Sequence, residues 1–566
     1  MSVEQLITTH LDIWTAADTE KKSGRGRSSG NAGSVYGIKK LRELILELAV
    51  RGKLVPQDES DEPASELLKR IVAEKAKLVA EGKIKKSKPL AEITDDEKPL
   101  EPITEGEKLF ALPIGWEFVR LANIIKISSG DGLTSDQMDK SGNIPVYGGN
   151  GVTGYHSISN VIKRTLVIGR VGYYCGSIHI TPESAWVTDN AFITKFSQEN
   201  ISMSFLYWLL RITNLKENES ATAQPVISGR KVYPIVVALP PFEEQHRIVA
   251  KVDELMALCD QLENQHNNAA EAHEKLVTQL LGTLTQSQNA QDFNTHWQLI
   301  SEHFDTLFTS EASIDALKQT LLQLAVMGKL VPQDPNDEPA SELLKRIQAE
   351  KAKLIAEGKI KKDKPLAEIT DEDKPFELPH GWERINFGEI IALVSGQHLN
   401  PSEYFDKPKN GSIPYITGPA DFGNEGPVPT RHTCERRALS IYGDILVTVK
   451  GSGVGKTNSV CQKELAISRQ LMAVRPIIVN VNFIGKLLIT LAKLFQELTV
   501  GIAIPGISRE DVLYAVIEIP PIAEQHRIVA KVDELMAICD QLKAGITSAN
   551  QLQQKLADVM TQVADC

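Results

Sequence analysis

Two stretches of the 566-residue sequence carry groups able to meet a phosphate or a nucleobase. In VKGSGVGKT, Gly451, Gly453 and Gly455 free the backbone while Lys450, Lys456 and Thr457 supply polar groups. A phosphate-cradling Walker A loop needs four residues between its first glycine and the Gly-Lys pair, so that successive amides and the lysine converge on the phosphates. Only three separate Gly451 from Gly455, and counting from Lys450 puts a lysine where glycine is required, so nucleotide hydrolysis is not expected. Two readings of this loop stay open: a lysine-bearing turn that holds a nucleic-acid phosphate, and a plain glycine-rich hairpin. In the first half of the chain Arg170 follows an apolar run and precedes Gly172, Tyr173 and Tyr174. At an offset of 280 residues Arg170 falls on Lys450, and Asn190 falls at the Arg469-Gln470 pair. Arginine and lysine reach phosphates, and Arg, Asn and Gln make the two-point hydrogen bonds that distinguish guanine from adenine. Each also has an ordinary reading, as a surface charge or a loop cap.

Other candidates for chemistry fall away. Pro240-Pro241-Phe242 has the tail of the Asn/Asp-Pro-Pro-aromatic signature of amino-methyltransferases, whose first residue accepts a hydrogen bond from the target amine. Leu239 stands there, and Ile519 in the second half, so that active site is absent and a rigid elbow remains. His246 and His526 have no serine and carboxylate in triad order. Six cysteines, at 175, 259, 434, 461, 539 and 566, form no C-x-x-C pair and read as reduced thiols, neither a disulfide frame nor a zinc site. Lys83, Lys85, Lys86, Lys88 and Lys359, Lys361, Lys362, Lys364 read as solvated helix ends, and Trp116 and Trp382 as anchors.

The elements that must position these residues come in duplicate. Residues 48–99 and 324–375 share 44 of 52 positions, and 239–262 and 519–542 share 20 of 24. A weaker echo links His10 and Asp12 to His303 and Asp305, and the 17 extra residues of the first copy fall in the Gly/Ser-rich KKSGRGRSSGNAGS. Between the like modules lie unlike segments, 118–238 and 384–518. Short β-rich runs (TLVIGRV, AFITKF, DILVTVK, LMAVRP) in glycine- and serine-rich surroundings predict strands there, with a short helix near 202–214 and 483–496. Ile248, Val252, Leu255, Cys259 and Leu262 are spaced 4, 3, 4, 3, as are Ile528, Val532, Leu535, Cys539 and Leu542, which predicts a heptad seam on a long helix after each Pro-Pro pair. Upstream, one helix should end near Gly52 or Gly328 and the next run from Pro63 or Pro339 to about Gly82 or Gly358.

Composition bounds the rest. At roughly 150 residues per domain the length suggests three or four domains. The most apolar window, Phe483 to Phe495, is broken by Lys486 and Lys493, and MSVEQLITTH has no signal-peptide core, so a cytoplasmic protein without a membrane span is expected. The net charge of −11 hides a division: 118–238 and 384–518 sum to +3 and +2, the remainder to −16. Only the unlike segments have the sign that a phosphate backbone rewards.

Two copies of a helical scaffold, each with a divergent insert opening on Leu-Pro-x-Gly-Trp and closing on Pro-Pro-x-x-Glu-Gln-x-x-Ile, closely resemble the specificity subunit of type I restriction-modification enzymes. The likeness spans nearly the whole chain, and the paired EQHRIVAKVDEL blocks are its most specific part. The resemblance implies an α+β fold: two α/β-type target-recognition domains joined by two long antiparallel coiled-coil helical spacer regions, in a pseudo-twofold tandem repeat. The expected divisions are an N-terminal arm and proximal repeat (1–111), a first recognition domain (112–238), a central spacer and second repeat (239–377), a second recognition domain (378–518) and a distal helix (519–566). It implies a non-catalytic subunit binding double-stranded DNA, two methyltransferase subunits and two restriction/translocase subunits. The chain itself would bind no cofactor, since S-adenosylmethionine, ATP and Mg belong to those partners, and no metal. On this reading Arg170, Tyr173, Tyr174 and Asn190 meet one half of a bipartite, asymmetric target and Lys450, Lys456, Arg469 and Gln470 the other, the halves lying about 34 Å apart. Ile248, Val252, Leu255, Leu262, Ile528, Val532, Leu535 and Leu542 form the partner-docking coiled coil. The alternative is an assembly scaffold whose inserts bind proteins. For the arm over residues 1–47, contact with DNA, closure of a ring with the C-terminal helix and disorder all stay open.

Overall fold

The structure is a computed structural model, and it describes residues 9–16, 35–80, 102–108, 110–139, 141–172, 174–215, 226–287, 290–362, 364–366, 369, 378–499 and 506–563. Helices and sheets occur together in two compact units, Met1–Ala270 with Ala549–Cys566, and Glu271–Ser548.

In the first unit α1 (Leu11–Ala16), α2 (Tyr36–Val50) and α3 (Ala64–Ala80) precede the strands. Ile38, Leu41, Leu44, Ile45 and Leu48 recur every three or four residues, so α2 buries one face. It stops before Gly52, whose φ of +69° is a backbone state that glycine adopts without strain. α1 reaches α2 where Gly37 leaves no Cβ to strike the Trp14 backbone, and Trp14 is wholly buried. Leu307, at the place the weak sequence echo assigns to Trp14, is also buried, in the second unit.

α5 (Phe242–Gln286) is 45 residues long, about 67 Å at 1.5 Å per residue; α4 is Met203–Ile212. The α5 seam Ile248, Val252, Leu255, Cys259 and Leu262 shares one core with α2. Arg42 donates to Asp260 and Glu263 alongside, at 2.7 and 2.8 Å. The last turns of the chain enter this core too: Ala557 is fully buried, and Tyr36 Oη donates to Asp558 at 2.7 Å. The described part of the N-terminal arm is thus tied to the C-terminal helix.

The strands of this unit stand on a neck where Glu117–Arg120 pairs antiparallel with Val236–Leu239, so the chain enters and leaves at one place. Above it a four-stranded antiparallel sheet runs in the order Ile125–Ser129, Ala191–Phe196, Leu166–Gly169, Ile178–Ile180. One face shares the main core with Phe205, Leu206 and Leu209 of α4. The other shares a smaller core, Tyr147, Val161, Val167, Val187 and Ala191, with a second sheet of Gly151–His156, Ile144–Gly148 and Trp186–Val187.

The second unit repeats these devices. α6 (Ala290–Glu302), α7 (Glu311–Val326) and α8 (Ala340–Ala356) lead to a neck of Glu383–Asn386 with Val516–Ile519. Ser310 caps α7, and Gly328 and Gly358 end α7 and α8 at φ of +67° and +69°. A four-stranded sheet runs Ile391–Ser395, Leu471–Pro476, Ile445–Thr448, Thr457–Ser459, beside a five-stranded one of Tyr404–Phe405, Arg431–Thr433, Ile413–Ile416, Glu464–Ile467 and Leu439–Ile441. α9 (Val481–Glu497) and α10 (Ile522–Val563) follow. Ile528 and Val532 of α10 pack with Leu322 and Ala325 of α7, and Cys539, Leu535 and Leu542 with Ile314, Leu317 and the end of α5 at Val277 and Leu281.

Two expectations change. The heptad residues Ile248, Val252, Leu255, Leu262, Ile528 and Val532 are buried in the units' own cores, with Leu535 and Leu542 half-buried against them, so the seam packs within the chain. The offset of 280 also slips by one in the middle strand. Leu166 pairs with Thr194 while Ile445 pairs with Val474, which makes the counterpart of Arg170 the buried Val449 and that of Lys450 Val171. One residue of slip turns a strand side chain to the opposite face.

Candidate nucleic-acid interface

Each insert is held at its neck by the sequence block that is most alike between the copies. Trp116 Nε1 donates to Glu244 Oε2 at 2.9 Å, and Gln57 Nε2 to Glu244 Oε1 at 3.1 Å. Gln245 accepts from the Ser202 amide at 2.9 Å and donates to the Pro240 carbonyl at 3.2 Å, and Arg247 pairs with Asp61 at 2.6 Å. The second copy repeats every bond with Trp382, Gln333, Glu524, Gln525, Asn480, Pro520, Arg527 and Asp337. Burial raises the carboxyls of Glu244 and Glu524, while the Gln and Trp hydrogen bonds pull them back. The tryptophans anchor insert to scaffold as expected, and the Pro-Pro elbow is structural.

The chemically distinctive positions lie on one two-residue turn in each insert. In the first, the Asn190 carbonyl accepts from the Arg170 amide at 2.9 Å and the Asn190 amide donates to Thr188 Oγ1 at 3.3 Å. In the second, the Gln470 carbonyl accepts from the Val449 amide at 2.8 Å and its amide donates to Ser468 Oγ at 3.1 Å. Asn190 and Gln470 are therefore true counterparts, as are Asp189 and Arg469, and all four side chains are exposed. Gly130 and Gly396 run so close beneath these turns that a Cβ would strike the Val187 and Ser468 carbonyls.

Each turn borders a cleft. The first, ≈ 950 Å³, is lined by Asp189, Asn190, Gln137, Asn150, Thr153 and Tyr174, among others. The second, ≈ 190 Å³, is lined by Arg469, Gln470, Arg431, His398, Tyr404 and Tyr415, with Leu399, Thr417 and Ser468. The first wall is amide- and hydroxyl-rich with one carboxylate; the second is cationic and aromatic with none. Burial, chiefly, raises the Tyr415 phenol, which stays a donor.

The remaining expected residues divide. Arg170 is engaged internally: Nη1 donates to Ser129 Oγ at 3.1 Å and to the Asp189 carbonyl at 3.4 Å, with the guanidinium 5.4 Å from the Phe192 ring centroid. Tyr174 is 57% exposed on the first cleft, and Tyr173 lies outside the described residues. Lys450 and Lys456 are exposed at the two ends of the glycine loop. That loop returns as the antiparallel strand Thr457–Ser459, not as a helix, and Gly455 abuts Ala492 of α9. It is a hairpin by geometry, with no helix N-terminus to cradle a nucleotide. Sequence reasoning missed Arg431, Tyr404, Tyr415 and His398, which come from three separated strands and loops and share no spacing. No described helix is long and apolar enough to cross a membrane.

Comparison with known proteins bears on this arrangement. The family described as Type I restriction modification DNA specificity domain matches residues 113–272 and 379–554. The chain is similar to the Type I restriction enzyme EcoAI specificity subunit of Escherichia coli, 40% identical over 603 residues, and to the EcoEI specificity subunit of the same organism, 40% identical over 608, each alignment covering 100% of both chains. Its fold resembles a chain in a solved structure described as "Structural basis underlying complex assembly and conformational transition of the type I R-M system", with a TM-score of 0.50 at 21% identity, covering 80% of this chain and 98% of that one. Two inserts on duplicated necks and full-length likeness to such subunits lead to one assignment: the chain belongs to the type I restriction-modification specificity subunits, non-catalytic components that recognise DNA for the partner subunits of their system.

Proposed function

We propose that the chain reads a bipartite, asymmetric DNA sequence, one half with each insert, over 112–238 and 378–518. The observation that carries this is the recurrence of one exposed turn at the wall of a cleft in both inserts, with different side chains on it. Asp189-Asn190 offers acceptors and an amide suited to exocyclic amino groups, whereas Arg469-Gln470 offers a guanidinium suited to guanine. Arg170 acts as a positioning residue, bracing the turn through the Asp189 carbonyl. Tyr174 faces the first cleft, Tyr173 neighbours it in sequence, and Lys450 and Lys456 take phosphates.

The near-identical scaffold copies, at 239–377 and in the flanking 1–111 and 519–566, serve as coiled-coil spacers in a pseudo-twofold arrangement. Their outer faces dock two methyltransferase and two restriction/translocase subunits, which bring S-adenosylmethionine, ATP and Mg. The seam residues contribute by holding those helices together rather than by touching partners.

The test is to assemble the chain with its methyltransferase partner and map the methylated motif on genomic DNA. A two-part motif is expected, with N190A relaxing one half and Q470A the other by about 1–3 kcal/mol. Sequence-blind binding would instead support an assembly scaffold.

A further inference from the structure

Seven arginines lie between Glu383 and Ile519. Arg384 pairs with Glu518, Arg436 with Glu464, Arg437 with Glu403 and Glu435, and Arg475 with Asp444. Arg509 donates to the Leu393 carbonyl at 2.6 Å. Only Arg431 and Arg469 have neither an ion pair nor a side-chain hydrogen bond among the described residues, and both line the same cleft, which no carboxylate enters. The two arginines of this insert without such partners among the described residues are thus gathered at one point.

Arg431 is also held in place. Its guanidinium carbon lies 4.8 Å from the Tyr404 ring centroid, and Tyr404 sits 5.7 Å from Tyr415. The backbone of Arg431 is paired with Tyr415 in the five-stranded sheet. A guanidinium stacked on a ring keeps its plane while its N–H fork stays unpaired, the state suited to two-point recognition rather than to loose neutralisation of a phosphate.

We propose that Arg431 and Arg469 together read a guanine in the half-site taken by the second insert, with Arg431 a specificity-determining residue. Guanine shows two acceptors, N7 and O6, in the major groove, whereas adenine sets an amino group beside N7 and would confront this donor-only pair with a donor. Gln470 closes the cleft on the side of the turn. The inference rests on the reading of the inserts as half-site readers and adds the base and the residue.

The test uses the full chain in complex with its methyltransferase subunit, on duplexes carrying the motif mapped for the wild-type complex. Binding and methylation are compared for the wild type, R431A, R431K and R469A. In a second arm, 7-deazaguanine, which lacks the N7 acceptor, replaces each guanine of that half-site in turn. Support is a loss of about 10- to 100-fold in discrimination at one guanine in R431A and R469A, unrescued by R431K, and reproduced in the unaltered protein by 7-deazaguanine at that position. The 7-deazaguanine arm leaves the protein untouched, so a folding defect in R431A cannot imitate it. A half-site without guanine, equal losses on every sequence, or unchanged discrimination overturns the inference. If the wild-type complex marks no two-part motif, the half-site reading itself fails; if it marks one that R431A leaves intact, only this inference fails.

Discussion

Glu244 and Glu524 are buried carboxylates that each accept hydrogen bonds from a tryptophan at the entry of the insert and a glutamine of the scaffold. Removing the acceptor leaves the buried tryptophan N–H unpaired, while the glutamine keeps its bond to the Gly52 or Gly328 carbonyl, so E244A should cost about 1–3 kcal/mol, read from the unfolding midpoint, and E524A about the same. Burial raises both carboxyls above the usual value of 4.5. The folded chain then keeps these protons to a higher pH than the unfolded chain, and the buried charge costs stability at neutral pH. That cost is lifted as pH falls through the folded value toward 4.5. E244Q cannot titrate, so the wild type should gain on E244Q in melting temperature on acidification; a difference independent of pH would contradict this. The EQHR block stood out in the sequence as the most specific mark of the family. Its work did not, because the partners Gln57, Asp61 and Trp116 lie more than a hundred residues away and nothing in their spacing joins them. The recognition side chains were half legible for a related reason. Asn190 and Gln470 were found by alignment, whereas Arg431 and Tyr404 meet the turn only after the five-stranded sheet has formed.

Periodicity carried most of the elements: α2, α5, α7, α8 and α10 follow their apolar stripes and glycine stops closely. The strands were found as runs, but their register was not, since the one-residue slip that exchanges Arg170 for Val449 leaves the local pattern of Leu, Val and Ile almost unchanged. Gly130 and Gly396 are among the sharpest local requirements of the inserts. G396A should push the Arg469-Gln470 turn outward at a cost of about 1–3 kcal/mol and weaken methylation at the second half-site alone, with G130A acting on the first. Loss of both halves from either change would show that the turns are not independent. Element packing also sorts the cysteines: Cys175, Cys259 and Cys539 are buried, Cys434 and Cys461 exposed. Burial pushes the Cys259 thiol up to about 11. A thiol reagent followed by peptide mapping should therefore mark Cys434 and Cys461 in the native protein, and Cys175, Cys259 and Cys539 only after denaturation.

For the whole molecule, the proposed spacing role of the helices has a metric consequence. Seven residues added within α5, in heptad register, lengthen it by about 10 Å, roughly three base-pair steps at 3.4 Å. The gap tolerated between the two recognised halves should change accordingly, as read by methylation of duplexes with graded spacers. An unaltered preference would separate the helices from target geometry. The return of the final turns to the α2 core has another consequence, for the order in which the protein is made. Ala557 and Asp558 leave the ribosome more than five hundred residues after Tyr36, so the place that they occupy beside α2 stays open until translation is nearly over. A chain terminated before residue 549 would lack the part of the first unit that is made last, and should melt earlier in that unit than the full-length protein.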